Sequence, residues 1–198
     1  MKRLHRKDLF CWSVFNERLD IDFNGFLWTR AAGNILVDPL PLTPHDREHL
    51  AKLGGASWIV VTNSAHVRGA QELAAALGAK IAGPVGEREG FPVKCDRWLG
   101  EGDELVPGLT ATALLGSKTP GELALWLEPD TLIFGDLVRS HRAGSLAFLL
   151  PEQGLKSLPE AKASVQKLIA KRPQALLLGD GFSIYRDGGE YLEELIGR

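Results

Sequence analysis

Apolar positions along the chain change their period several times, and each change predicts an element. Phe10 to Phe15 and Ile21 to Thr29 are dense in aromatic and β-branched residues, which predicts two strands. Asn24-Gly25 and Gly33-Asn34 supply turn chemistry beside them. Ile35-Leu-Val-Asp38-Pro39 reads as a short buried strand that stops at a proline. A helix follows: Thr43 suits its N-cap, Pro44 its first position, Leu50 and Leu53 share a face, and Gly54 can end it. Trp58-Ile-Val-Val-Thr62 is a continuous apolar run of the kind buried on both faces. A second helix is expected from about Ala65 to Leu77, closed by Gly78.

From Arg97 to Phe134 short apolar stretches are separated by Gly, Pro and Asp, which predicts an antiparallel meander. Ser157 and Glu160 form a capping-box pattern ahead of Val165, Leu168 and Ile169. Ala175 to Leu178 reads as a further buried strand and Glu190 to Ile196 as a terminal helix. Two β-rich halves, each closing with helices, would pack sheet on sheet with the helices outside.

Composition narrows the function classes. With 198 residues and 44% hydrophobic content, the chain is long enough for one domain over residues 1–198, and no low-complexity linker divides it. Its 23 basic and 25 acidic residues are dispersed and leave a net charge of −2. That balance argues against nucleic acid or an anionic membrane as partner, although Met1-Lys-Arg-Leu-His-Arg-Lys is locally basic. No signal-like h-region and no membrane-length apolar run is present, so a cytoplasmic protein is expected. Cys11 and Cys95 lack disulfide or Cys-x-x-Cys spacing and read as buried thiols in a reduced compartment.

Several familiar sites fail. Gly116-Ser117-Lys118-Thr119 has a serine between Gly and Lys, and Ala111 stands where a P-loop needs its first glycine. G-x-G-x-x-G, G-x-S-x-G, H-E-x-x-H and paired Cys-x-x-Cys are all missing. His45 and His49, four apart on one helix, read as a solvated face rather than metal ligands.

Five strand-end motifs remain, in order: Gly33-Asn-Ile-Leu-Val-Asp38-Pro39; Trp58-Ile-Val-Val-Thr62 leading into Asn63-Ser64-Ala65-His66-Val67-Arg68-Gly69-Ala70; Ser117-Lys118-Thr119-Pro120-Gly121; Leu132-Ile-Phe-Gly135-Asp136; and Leu176-Leu-Leu-Gly179-Asp180-Gly181. Together they resemble the metallo-β-lactamase superfamily. The resemblance implies an α/β fold, a four-layer αββα sandwich. It also implies a two-metal centre in Thr-His-x-His-x-Asp-His, Gly-His-Thr-Pro-Gly, Gly-Asp and Gly-His-Gly, and here the chain departs. Asn63 and Ala65 fall on the first two histidine positions, Val67 on the aspartate, and Arg68 on the third histidine. Lys118 and Asp180 fall on the last two histidines, leaving Asp136, the family's bridging carboxylate, in place. A gapped alignment recovers one ligand by setting His66 on the Asp-His pair. Zinc needs at least three good donors, and Ala, Val, Lys and Arg supply none.

These departures predict a pocket of Asn63, His66, Arg68, Lys118, Asp136, His141 and Asp180. In it Lys118 and Arg68 would offset Asp136 and Asp180 in place of metal ions. No cofactor is expected, and the function expected first is non-catalytic binding of a small anion or a partner, with Arg68, Arg139, His141 and Arg142 as donors near the mouth. Two alternatives stay open. One is a hydrolase, either with a single divalent metal on Asp136, Asp180 and His66 or metal-free with His66 as general base. The other is a structural protein serving oligomerisation.

Overall fold

The computed structural model describes residues 1–197, folded as two packed sheets with helices on their outer faces. The first sheet runs in chain order through β1 (Lys2–Arg3), β2 (Leu9–Asn16), β3 (Ile21–Trp28), β4 (Ile35–Val37), β5 (Trp58–Val60), β6 (Lys80–Pro84) and β7 (Arg97–Leu99). Pairing is antiparallel from β1 to β4 and parallel from β4 to β7. The crossovers carry α1 (Pro44–Lys52) and α2 (Ala70–Leu77). The second sheet contains β8 (Glu104–Val106), β9 (Leu109–Ala113), β10 (Leu123–Leu127) and β11 (Thr131–Phe134) as an antiparallel meander. After a hairpin of β12 (Val138–Arg142) and β13 (Ser145–Phe148) and the helix α3 (Leu158–Ile169), β14 (Ala175–Leu178) joins the sheet parallel to β11. The helix α4 (Gly188–Gly197) follows.

Three apolar layers establish the αββα sandwich. Phe10, Leu27, Leu36 and Ile59 on the outer face of the first sheet pack against Leu50 and Leu73 of α1 and α2. Phe26, Ile35, Val60, Leu123, Leu125 and Leu177 fill the space between the sheets. Trp126, Phe134, Leu176, Val165, Leu168 and Leu192 join the second sheet to α3 and α4. Each fully buried Leu or Phe contributes about 1.5–3 kcal/mol relative to exposure, so these seams dominate the stability.

Much of the local reading holds. Thr43 caps α1 by accepting from the Asp46 N–H at 3.1 Å, and Gly78 ends α2 at φ +66°. Four expectations need correction. Asn24-Gly25 lies inside β3 rather than at a turn: the Asn24 amide bonds the Leu178 and Gly181 carbonyls, and a Cβ on Gly25 would meet the Trp12 ring at 2.8 Å. The helix expected from Ala65 is broken into a 3₁₀ turn, Ser64–His66, and α2, because Arg68 takes φ +41°. Arg97–Leu99 belongs to the first sheet, so the meander begins only at β8. Cys11 and Cys95 are free but only partly buried. No helix among the described residues is long and apolar enough to cross a membrane.

Candidate functional site

Sheet topology brings the chemistry-bearing residues to one end of the sandwich. Asp38 follows β4, Thr62 and Asn63 follow β5, Asp136 follows β11, Asp180 follows β14, and Glu122 precedes β10. Backbone bonds sew this end together: the Leu123 N–H donates to the Thr62 carbonyl at 2.9 Å and the Asn24 N–H to that of Gly179 at 2.9 Å. Gly135 and Gly179 permit the close approach. A Cβ at 135 would lie 2.6 Å from Thr62 Oγ1, and one at 179 would lie 2.7 Å from the His66 ring.

Asp136, 4% exposed, is the centre of the floor. Its Oδ2 receives Lys118 Nζ at 2.7 Å and Asn63 Nδ2 at 3.1 Å, with His66 Nε2 at 3.4 Å. Its Oδ1 faces the Arg139 guanidinium at 3.6 Å, and the same nitrogen lies 3.6 Å from Asp180 Oδ2. His141 Nε2 lies 3.4 Å from that Asp180 oxygen. The floor therefore brings together Asn63, His66, Lys118, Asp136, His141 and Asp180. Arg68 lies beside them in a different role from the one expected. It forms no ion pair with Asp136 or Asp180; its guanidinium donates to the Asn24 and Gly179 carbonyls at 2.9 and 3.3 Å and lies 3.1 Å from His66 Nε2. Arg139, expected near the mouth, is 8% exposed and supplies the second cation of the floor; Arg142 is exposed on the β12–β13 hairpin.

Two carboxylates complete the site without having been singled out as its members. Asp38 is fully buried at φ +46° and accepts from the Thr62 N–H at 2.7 Å, Thr62 Oγ1 at 2.6 Å and His66 Nδ1 at 2.7 Å. Glu122 is fully buried; its Oε1 accepts the Asp136 and Leu137 N–H groups at 2.7 and 2.8 Å, and its Oε2 accepts from the Ser117 hydroxyl. The available signal for Glu122 was an acid abutting the wholly apolar run Leu123–Leu127, since a buried acid demands dedicated donors.

Burial and charge set the protonation states. Burial acts to lower the His66 pKa, but Asp38 and Asp136 outweigh it and raise it to about 9. With Nδ1–H committed to Asp38, Nε2–H faces Asp136 in the charged form; after deprotonation Nε2 can accept from Arg68. Glu122 is pushed up to about 7 by burial and by the Asp136 charge. Burial opposes ionisation of Asp136, yet His66 and Lys118 hold it well below the usual carboxylate range. A raised native pKa means that the folded state keeps a proton which the unfolded state releases. His66 stabilisation is thus complete below its ordinary 6.5 and is lost as pH rises through about 9; Glu122 acts in the same sense from 4.5 through about 7. Asp136 is opposite: its contribution is present above its ordinary 3.8 and is lost on acidification through the depressed value. The denaturant midpoint should therefore fall between pH 6.5 and 9, and the fall should shrink in His66→Gln. A midpoint that rises across this range would contradict the assignment.

As donors the floor residues suit a metal poorly. No group of three or more His, Cys, Asp or Glu side chains among the described residues is placed to hold a metal ion, and the Lys118 ammonium occupies the Asp136 oxygen.

Comparisons with known proteins bear on the family and the fold. The family model described as "Metallo-beta-lactamase superfamily" matches residues 1–198. Hydroxyacylglutathione hydrolase from Methylococcus capsulatus (strain ATCC 33009 / NCIMB 11132 / Bath) is 34% identical over 101 residues, 50% of this chain and 39% of that protein, so the match spans well under half of the relative's length. The metallo-beta-lactamase FIM-1 from Pseudomonas aeruginosa, in its mono-zinc form, superimposes with a TM-score of 0.76 at 16% identity, covering 100% of this chain and 94% of that one. A metallo-beta-lactamase family protein from Thermus thermophilus gives 0.69 at 20% identity, covering 97% and 79%.

Proposed function

Because the chain belongs to the metallo-β-lactamase superfamily, we propose that it is a member in which an ion-pair cluster stands where the family holds its metals, and that it works as a non-catalytic binding protein for a small anion. The observation carrying this reading is Lys118 Nζ at 2.7 Å from Asp136 Oδ2, on the carboxylate that would otherwise bridge two metals. At an effective dielectric near 20, a pair about 4 Å apart is worth on the order of 4 kcal/mol before desolvation, so a cation at this position offsets part of the cost of burying the Asp136 charge. Asp38, Asp136 and Asp180 face His66, Lys118 and Arg139, so the charges of the floor offset one another. A bound anion is then left to cations that have no internal carboxylate.

The hydrolase reading draws on the likeness to hydroxyacylglutathione hydrolase over half of the chain. Against it, His66 Nε2 sits between Arg68 at 3.1 Å and Asp136 at 3.4 Å, and a raised pKa keeps the imidazole protonated near neutrality. A general base needs a free lone pair within reach of the proton it takes.

Protein purified without added metal should carry far less than stoichiometric zinc by elemental analysis, and chelator should leave its melting temperature unchanged. It should also fail to hydrolyse β-lactams, hydroxyacyl thioesters or phosphodiesters with Zn²⁺, Mn²⁺ or Fe²⁺ supplied. Stoichiometric zinc whose removal lowers the melting temperature would overturn the proposal. So would turnover abolished by Asp136→Asn or His66→Gln.

A further inference from the structure

Unpaired cations gather away from the floor, around Tyr185. A cavity of about 320 Å³ is lined by Lys2, Arg3, His5, Tyr185 and Arg186. None of Lys2, Arg3 and Arg186 has an ion-pair partner among the described residues, whereas neighbouring Arg6 is held by Asp8 at 2.8 Å and Asp130 at 3.4 Å. Lys2, Leu4 and Tyr185 also border a second cavity of about 570 Å³, whose walls include Trp12, Ser13, Asp22 and Phe182. None of Asn63, His66, Lys118, Asp136 or Asp180 lines either space. Together they fall in the size range of small-ligand sites.

The two spaces differ in chemistry. The smaller is cationic, and its arginines offer the planar donor fork that suits phosphate oxygens. In the larger, Phe182 and Tyr185 leave 55% and 43% of their surface open, and Tyr185 is braced by the His5 ring at a centroid distance of 5.6 Å. Such faces stack on a planar ring. Asp22 lines the larger space without an ion-pair partner among the described residues and accepts hydrogen bonds from hydroxyl or amino groups. It would repel a phosphate, which fixes the ligand's direction: phosphate toward Lys2 and Arg186, ring and hydroxyls toward Phe182 and Asp22.

We propose that these adjoining cavities form a binding site for a small phosphorylated ligand with a planar ring, the chemistry of a nucleoside monophosphate. The inference rests on that reading for the anion and names the place it leaves open; Asn24 and Gly181 border both the larger cavity and the floor, but none of the floor's charged side chains lines the cavities.

Calorimetric titration of the full chain with AMP, adenosine and inorganic phosphate tests it. AMP should bind, adenosine should bind at least about tenfold more weakly, and added salt should weaken AMP. Lys2→Glu combined with Arg186→Glu should cost AMP at least about tenfold, while the charge-matched surface pair Lys94→Glu with Lys156→Glu should cost nothing. Tyr185→Leu should weaken AMP but spare inorganic phosphate. All these positions are exposed, so circular dichroism should report an unchanged fold. Adenosine binding as tightly as AMP would overturn the site. So would no binding of AMP, or indifference to the Lys2 and Arg186 reversals. A single-stranded oligonucleotide that outcompetes AMP would replace it with a polyanion surface. Stoichiometric zinc in the same preparation would refute the reading of the floor and leave this site standing; failure of AMP alone would do the reverse.

Discussion

Replacing Lys118 by Met should destabilise the protein by about 3–5 kcal/mol, because it leaves the buried Asp136 carboxylate without its nearest cation. The loss should fall toward the lower end, since Asn63, His66 and Arg139 still face that group. Asp136→Asn in the same chain removes the stranded charge and should recover a good part of the loss. A double-mutant cycle by denaturant unfolding isolates the coupling between the two. Coupling below about 0.5 kcal/mol would mean that the 2.7 Å contact is solvated and worth nothing, and the metal-replacing cluster would fall with it.

An effect of comparable size is expected at Asp38. Its carboxylate satisfies the Thr62 N–H, the Thr62 hydroxyl and His66 Nδ1 with no solvent exposure. Asp38→Ala strands all three donors and keeps a non-glycine residue at φ +46°, so a loss of about 3–5 kcal/mol is expected. The His66 titration reads the same change independently. With Asp38 gone, burial opposes the charged imidazole with less to offset it, and the NMR-monitored pKa should drop from about 9 toward or below 6.5. An unmoved His66 pKa would show that Asp38 is not its anchor.

Much of the sandwich was legible in local pattern. The short apolar runs at Trp58–Thr62 and Ala175–Leu178, bounded by turn residues, read as buried strands and contain β5 and β14, and the Thr43-Pro44 start of α1 follows from capping chemistry alone. The misread places are those where a distant residue overrode a local preference. Asn24-Gly25 has turn chemistry, yet Trp12 and the Leu178 carbonyl claim it for a strand. The 65–77 stretch has a helical pattern, but Arg68 must turn its guanidinium back to Asn24 and Gly179, and the positive φ that this requires breaks the helix. The floor divides in the same way. Lys118 opposite Asp136 followed from motif order, whereas Arg139 could not be told from a loop charge until β12 carried it between Asp136 and Asp180. Glu122 escaped because two of its three partners are backbone N–H groups, which carry no sequence signature, and the third is the Ser117 hydroxyl.

The bond from the Asn24 amide to the Gly181 carbonyl spans 157 residues. During synthesis at roughly 5–20 residues per second, β3 leaves the ribosome on the order of ten seconds before its partner exists. Until β9 to β11 follow, the inner face of the first sheet, with Phe26, Ile35 and Val60, has no second sheet to cover it, and until β14 follows the second sheet lacks its last strand. Asp180 reaches the floor only when that long-range loop closes, so its contacts with Arg139 and His141 are expected to form late and to contribute little to the folding barrier. Their weakening would then appear mainly as faster unfolding. For the nascent chain, the vulnerable stage is the half-built sandwich, whose open apolar sheet is the surface most prone to association.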